Sequence, residues 1–244
     1  MRIDPRDALF IDFDGTLIDL AAHPSAIVVP KDLANIIECL FDALGGALAV
    51  VSGRPIDEID RYLGLPARIP VAGVHGAQLR TGSGMLEVPV VGDELIAIRA
   101  AVERFARCHP ALFVEPKPVS LAVHFRADPS LADKVYAELA RLVEQAPDLK
   151  LMHGHAVCEI KPVWASKGAA IERLMQLPAF RGRRPLMIGD DVTDEDGFRV
   201  ALAAGGRAIK VGQGPTLASE RLAGPADVRR WLAESLESLS RTDA

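Results

Sequence analysis

The stretch ALFIDFDGTLIDL, residues 8–20, ends a short apolar run with two carboxylates, Asp12 and Asp14, one residue apart. Side chains on a strand alternate faces, so two acids at this spacing point the same way and repel. Asp-Gly is also an ordinary turn signal, and a strand that simply ends in a solvated loop remains open on these residues alone. A calcium loop of the EF-hand kind would need further acids and a closing glutamate, which are missing. The run before the acids is apolar at every position, which predicts a strand buried on both faces.

The pattern recurs along the chain. Pro30 opens a helix in which Leu33, Ile36, Ile37, Leu40, Phe41 and Leu44 repeat at helical spacing until Gly45 and Gly46 stop it. ALAVV (47–51) is a second strand, followed by SGRP and a short helix near Pro55, and IPVAGV (69–74) is a third. Near the C-terminus come a helix from Ser166, the strand PLMIG (185–189), a helix after DDVTDED and the strand RAIKV (207–211). Strands alternating with helices predict an α/β fold, a doubly wound parallel-sheet core. From 79 to 161 the grammar changes: VSLAVHFR and AVCEI read as strands with one polar face, and amphipathic helices lie around 92–107 and 130–145. The expected organisation is a core of residues 1–78 and 162–244 with an inserted α+β cap domain over 79–161. RTGSG (80–84) reads as a hairpin near the entry and KPVWAS (161–166) as the return.

Composition narrows the class. The 244 residues are 49% hydrophobic and 25% charged, the balance of a globular protein with a full core. A net charge of −5 gives no electrostatic reason to expect nucleic acid or an anionic membrane as partner. Cys39, Cys108 and Cys158 lie far apart, which indicates neither a zinc site nor a disulfide framework. The charged opening MRIDPRDALF predicts no signal peptide or membrane anchor, hence a cytoplasmic location. Oligomeric state is not encoded in any of these features.

In an open α/β sheet, ligands bind beyond the carboxyl ends of the strands. Those positions hold Asp12, Asp14, Gly15 and Thr16, then Ser52, Gly53 and Arg54, then Gly189, Asp190, Asp191 and Asp194, with Lys167 in the first turn of its helix behind the N-cap candidate Ser166. Singly, each has a structural explanation as turn, cap or solvated residue. Together they place acids from two strands opposite one another, at an electrostatic cost that a hard divalent cation would relieve. Magnesium held by carboxylates and meeting a phosphate fits, with a hydroxyl, a lysine and backbone N–H groups as the cradle.

This constellation resembles the haloacid dehalogenase superfamily of phosphatases along the whole chain. The superfamily's DxDGT motif matches Asp12 to Thr16, its second motif Ser52, its third Lys167, and its fourth, GDDxTDED, Gly189 to Asp196. The resemblance implies Asp12 as nucleophile and Asp14 as general acid and then base. It also implies Mg2+ on the Asp12 carboxylate, the Asp14 backbone carbonyl and Asp190, with Asp194 near or behind the metal. Thr16, Ser52 and Lys167 would bind the phosphoryl oxygens.

Stretches of the inserted domain together with stretches of the core carry a finer likeness. EPKPVSLAVHFR, GHAVCEIKP, GVHGAQLR and GDDVTDEDGF are similar to the trehalose-6-phosphate phosphatase family. That likeness implies hydrolysis of a small-molecule sugar phosphate, trehalose 6-phosphate, through an aspartyl-phosphate. Glu115 and Lys117 would reach sugar hydroxyls, with Glu159 a further contact. His124 and Arg126, two apart on the next strand, read as one face, and Arg54 and His75 complete the candidate substrate contacts, with a structural hydrogen bond the alternative for His75. An ion pair between Glu115 and Lys117 is the plainer alternative for those two. Trp164 stands where a smaller residue is expected and reads as packing between the domains. Two other functions stay open: a sugar phosphatase of the same cap class, acting on sucrose phosphate or mannosyl-phosphoglycerate, and a receiver-like module that stores a phospho-aspartate without turnover. A receiver needs about half this length and no inserted domain.

Overall fold

The first strand, β1 (Asp7–Ile11), is buried at every position. The computed structural model describes residues 1–21, 26–87, 92–117, 119–154 and 156–241. Pro118 and His155, inside the quoted cap stretches, lie outside the described residues. In chain order β1 is followed by α1 (Leu33–Ala43), β2 (Leu48–Val51), α2 (Ile56–Leu63), β3 (Val71–Gly73), β4 (Gln78–Arg80) and β5 (Leu86–Glu87). Next come α3 (Asp93–Arg107), β6 (Phe113–Pro116), β7 (Leu121–His124), α4 (Ala132–Val143), β8 (Leu149–Gly154) and β9 (Val157–Pro162). The chain continues with α5 (Lys167–Leu174), β10 (Arg184–Gly189), α6 (Glu195–Ala203), β11 (Arg207–Val211), β12 (Glu220–Leu222) and α7 (Pro225–Ser240).

The chain divides into two compact units, Met1–Glu87 with Ser166–Ala244, and Val88–Ala165. The larger holds one eight-stranded sheet in the order β12-β11-β10-β1-β2-β3-β4-β5. Pairing is parallel from β12 to β3, and β4 and β5 continue the edge antiparallel through a turn at 81–85. Alternation along β1 explains why helices cover both faces. Leu9 and Ile11 pack with Leu33, Ile37 and Leu40 of α1, Ile59 of α2 and Leu232 of α7. Ala8 and Phe10 pack with Ile171 and Leu174 of α5 and Phe198 of α6. Burying each such large side chain contributes roughly 1.5–3 kcal/mol.

The smaller unit has an antiparallel sheet in the order β6-β7-β9-β8. One face, with Leu121, Val123 and Ile160, packs on Leu95, Ile98 and Val102 of α3 and Val135 and Leu139 of α4. The register aligns Glu115, Ala122, Glu159 and Met152 across the four strands, so these four share the opposite face. The ladder of β7 ends at the pair His124–Val157. The chain then turns, with Asp128 N donating to Phe125 O, and Arg126 is exposed in that turn instead of sharing a strand face with His124. Trp164 is 46% exposed, not enclosed by packing. No helix among the described residues is long and apolar enough to cross a membrane.

Candidate active site

The main-chain ladder of β1 runs one bond past the strand, Asp12 N donating to Ile188 O of β10 at 3.0 Å. The next residues fold into a tight turn closed by Leu17 N to Phe13 O and Gly15 N to Ile18 O, both 2.9 Å. Gly15 has φ 75°, and a Cβ there would collide with the Asp190 carboxylate, so glycine is required on both counts. β10 ends beside β1, which brings Asp190 and Asp194 to the same point.

There, Lys167 Nζ lies 2.6 Å from Asp12 Oδ1 and 2.7 Å from Asp194 Oδ1. The other Asp194 oxygen accepts from the backbone N–H of Asp190 at 3.1 Å and of Asp191 at 3.0 Å. Carboxylate oxygens of Asp12, Asp190 and Asp194 lie within 4.8 Å of one another. Burial and then the Asp194 charge hold the Asp12 carboxyl well above the usual range. The same two causes push Asp190 up to about 6. Burial opposes the charge on Lys167, but Asp12 and Asp194 outweigh it and raise its pKa above the ordinary lysine value. One ammonium thus faces three crowded acids, and a donor set of hard oxygens with excess negative charge fits a divalent cation such as Mg2+.

The other strand-end residues gather around this cluster. Thr16 is fully buried, its Oγ1 3.4 Å from Asp190 Oδ1. Ser52 is buried at the end of β2, its Oγ accepting from Arg54 N at 3.1 Å. Ser166 Oγ accepts from Ala169 N and caps the helix that presents Lys167. Lys210, one residue before the end of β11, is 5% exposed and donates to the backbone carbonyls of Asp190 and, at 2.8 Å, Val211.

Asp14 faces a different cation. Arg54 Nε and Nη2 lie 2.6 and 2.7 Å from its two oxygens, while Nη1 meets Glu58 Oε2 at 3.1 Å. The guanidinium also lies 5.8 Å from the ring centre of Phe13 and 5.4 Å from that of Tyr62. His75 is buried in the turn after β3 with φ 54°, directly after Val74 at φ 49°. Its N–H donates to Ser52 O at 2.8 Å, and its ring occupies the space where a side chain on Gly53 would go. Two consecutive left-handed non-glycine residues store local strain beside the Ser52–Arg54 loop.

In the smaller unit, His124 Nε2 and Glu115 Oε2 are 2.8 Å apart, Ser120 Oγ donates to Glu159 Oε1 at 2.7 Å, and Lys117 Nζ is 3.6 Å from that same oxygen. Lys117 therefore pairs with Glu159, and Glu115 with His124. The His124 hydrogen bond, more than the Lys117 charge, lowers the Glu115 carboxyl below its usual value. Glu58 and Lys210 carry no motif signal. Lys210 lies within β11, one residue before its end, so reading the residues just after each strand does not reach it, and its one signal is a charged side chain among the apolar positions of that strand.

Three comparisons bear on the family and the fold. The family model for trehalose-phosphatase matches residues 10–225. The chain is 40% identical over 232 residues to a trehalose-6-phosphate phosphatase of Escherichia coli K12, covering 95% of this chain and 87% of that protein. It is also 40% identical over 220 residues to a probable trehalose-phosphate phosphatase of Sinorhizobium fredii, covering 88% and 81%. The fold matches the C-terminal domain of a C. albicans trehalose-6-phosphate phosphatase with a TM-score of 0.82, over 96% of this chain and 93% of that one, at 22% identity.

Proposed function

The chain belongs to the trehalose-phosphatase family, and from that premise we propose that it hydrolyses trehalose 6-phosphate to trehalose and phosphate through an aspartyl-phosphate on Asp12. The observation that carries the mechanism is the separation of the two acids: Asp12 lies on Lys167 inside a buried acidic cluster, and Asp14 lies outside it on Arg54.

Asp12 attacks phosphorus, its new O–P bond forming as the bond from phosphorus to the sugar oxygen breaks. Asp14 gives that oxygen a proton as it leaves. Water then attacks the same phosphorus, Asp14 takes its proton, and the Asp12 carboxylate is regenerated. Lys167 fixes the nucleophile's orientation, and its charge, with the hydroxyls of Thr16 and Ser52, favours the crowded phosphoryl oxygens. Asp12, Asp190 and the backbone carbonyl of Asp14 would hold Mg2+, which when bound supplies charge to offset the phosphoryl group. Asp194, with both oxygens on Lys167 and backbone N–H groups, anchors the loop that carries Asp190.

The smaller unit, Val88–Ala165, supplies recognition of the sugar. Glu115, Lys117 and Glu159 offer acceptors and a donor to hydroxyls, and His124 orients Glu115. Arg126, off the strand face, is the weaker candidate of that group. Phosphate release across a panel of sugar phosphates, with and without Mg2+, tests the reading. Preference for trehalose 6-phosphate supports it. Preference for sucrose phosphate or mannosyl-phosphoglycerate, or a phosphorylated chain that does not turn over, overturns it.

A further inference from the structure

Arg54 follows β2 in the loop Ser52–Gly53–Arg54, a place from which a cation can reach a phosphate or a sugar. Its guanidinium is engaged elsewhere. Two of its nitrogens take both oxygens of Asp14, a third takes Glu58, and the group lies against Phe13 and Tyr62. The Arg54 side chain is 11% exposed, whereas that of Asp14 is 30% exposed. An arginine fork matched to a carboxylate fixes both the plane and the direction of that carboxylate, which a lysine cannot do.

We infer that Arg54 is a positioning residue for the acid–base group: it aims the Asp14 carboxylate for both proton transfers, and Glu58 holds Arg54 in turn. The inference rests on Asp14 being the acid and base of the proposed reaction. Asp14 sits in a short turn with no other side-chain partner among the described residues, so without the fork its χ1 and χ2 would sample several directions. A bidentate pair keeps one oxygen anchored while the other exchanges a proton. Arg54 then contributes nothing of its own to reading the ester, in contrast to the sequence-based expectation of a substrate contact.

Two substrates separate these roles. With 4-nitrophenyl phosphate, the Asp12 oxygen–phosphorus bond forms as the bond to the aryl oxygen breaks, and the aryloxide departs without needing a proton. Hydrolysis of the aspartyl-phosphate still requires a base to take the proton from water. Misaiming Asp14 therefore slows only the second step for the aryl ester, and both steps for the sugar ester.

The experiment is a double-substitution cycle read on both esters with Mg2+ present, comparing Arg54→Gln, Asp14→Asn and the two combined. Arg54→Gln is expected to lower kcat by roughly 10–10²-fold, the scale of a small misplacement of a catalytic group. It should also give a rapid burst of one nitrophenolate per chain before slow turnover. In the Asp14→Asn background, Arg54→Gln should cost no further activity, because its effect passes through Asp14. Multiplying losses, or a defect confined to KM for the sugar ester, would show that Arg54 touches substrate and would overturn the inference. Arg54→Lys should fall between wild type and Arg54→Gln. It takes the place of Arg54→Gln in the cycle if that variant fails to melt cooperatively. Full activity in Asp14→Asn would instead remove the underlying assignment, an outcome distinct from failure of the cycle.

Discussion

Lys167 Nζ stands 2.6 Å from Asp12 Oδ1, and both side chains are almost wholly buried. A buried ammonium touching a buried carboxylate aligns the lone pairs of that carboxylate and lowers its cost of ionisation. The geometry suits a nucleophile that must be charged yet dry. Asp12→Asn keeps the shape but not the nucleophilicity. It is expected to abolish turnover while leaving cooperative melting intact, since it also removes one of three mutually repelling acids. Substantial phosphate release from a folded Asp12→Asn protein would refute the assignment. Asp14→Asn should lose roughly 10²–10⁴-fold, the usual scale of acid–base help.

The position of Asp190 sets a dependence on pH and metal. In the metal-free protein its carboxyl is pushed up to about 6 by burial and by Asp194. A carboxyl whose folded-state pKa exceeds its unfolded value favours folding when protonated. Its contribution is complete below the ordinary carboxyl range near 4 and is lost as the pH rises through about 6. Magnesium held by Asp12 and Asp190, as proposed, would compete with protons on these carboxyls, so its apparent affinity should be weaker at pH 5 than well above pH 6. At pH 8, Mg2+ at a hundred times its dissociation constant adds about 2.7 kcal/mol, or roughly 5–10 °C in Tm for a chain of this size. Thermal melts at pH 5 and pH 8 across a Mg2+ titration check this, and an equal shift at both would contradict it.

The strand-end acids were legible because a parallel sheet gathers its chemistry at one edge, and β1, β2 and β10 each announce that edge by an apolar run followed by polar residues. The partnership of Asp14 with Arg54 was not legible. It joins residues 40 apart, and only the adjacency of β1 and β2 in the sheet brings them together. The expectation that Arg126 shares a strand face with His124 failed for a local reason: strand alternation was extended two residues beyond the last ladder pair, into a turn that Asp128 closes. β12 has no apolar run to betray it, whereas α7 buries Val228, Trp231, Leu232, Ser235 and Leu239 at a spacing that is visible in sequence once a helix is looked for.

Lys210 gives a third expectation. Its ammonium is buried on the carbonyls of Asp190 and Val211 and ties the end of β11 to the start of the acidic loop. Lys210→Met preserves the length and apolar stem but frees that loop. The Mg2+ concentration for half-maximal activity should rise about tenfold, the low end of losses seen when the partner of a metal ligand is removed, with the KM for sugar ester little changed at saturating metal. An unchanged midpoint, measured by activity and by calorimetric titration of Mg2+, would reduce Lys210 to a packing residue.

The face of the smaller unit proposed to read the sugar supplies the last expectation, and here the comparison must be between substrates. Lys117 already pairs with Glu159, and Glu115 with His124, so each side chain is pre-oriented by a neighbour instead of being free to reorient in water. Such pre-orientation reduces the entropy lost when a hydroxyl is bound, but it also means that truncation disturbs two residues at once. Each lost charged hydrogen bond should cost about 1.5–3 kcal/mol, hence roughly tenfold or more in kcat/KM for trehalose 6-phosphate. An aryl phosphate presents no disaccharide hydroxyls to these residues, so Glu115→Ala and Lys117→Ala should leave its hydrolysis nearly unchanged. If binding of the sugar also drives a rearrangement that completes the site, kcat for the sugar ester falls as well, and the sign of the comparison is preserved. Equal loss on both substrates would assign the pair to the stability of the smaller unit, which thermal melts of the two variants would register independently. No loss on either would move recognition of the leaving group to other residues and reopen the choice among sugar phosphates.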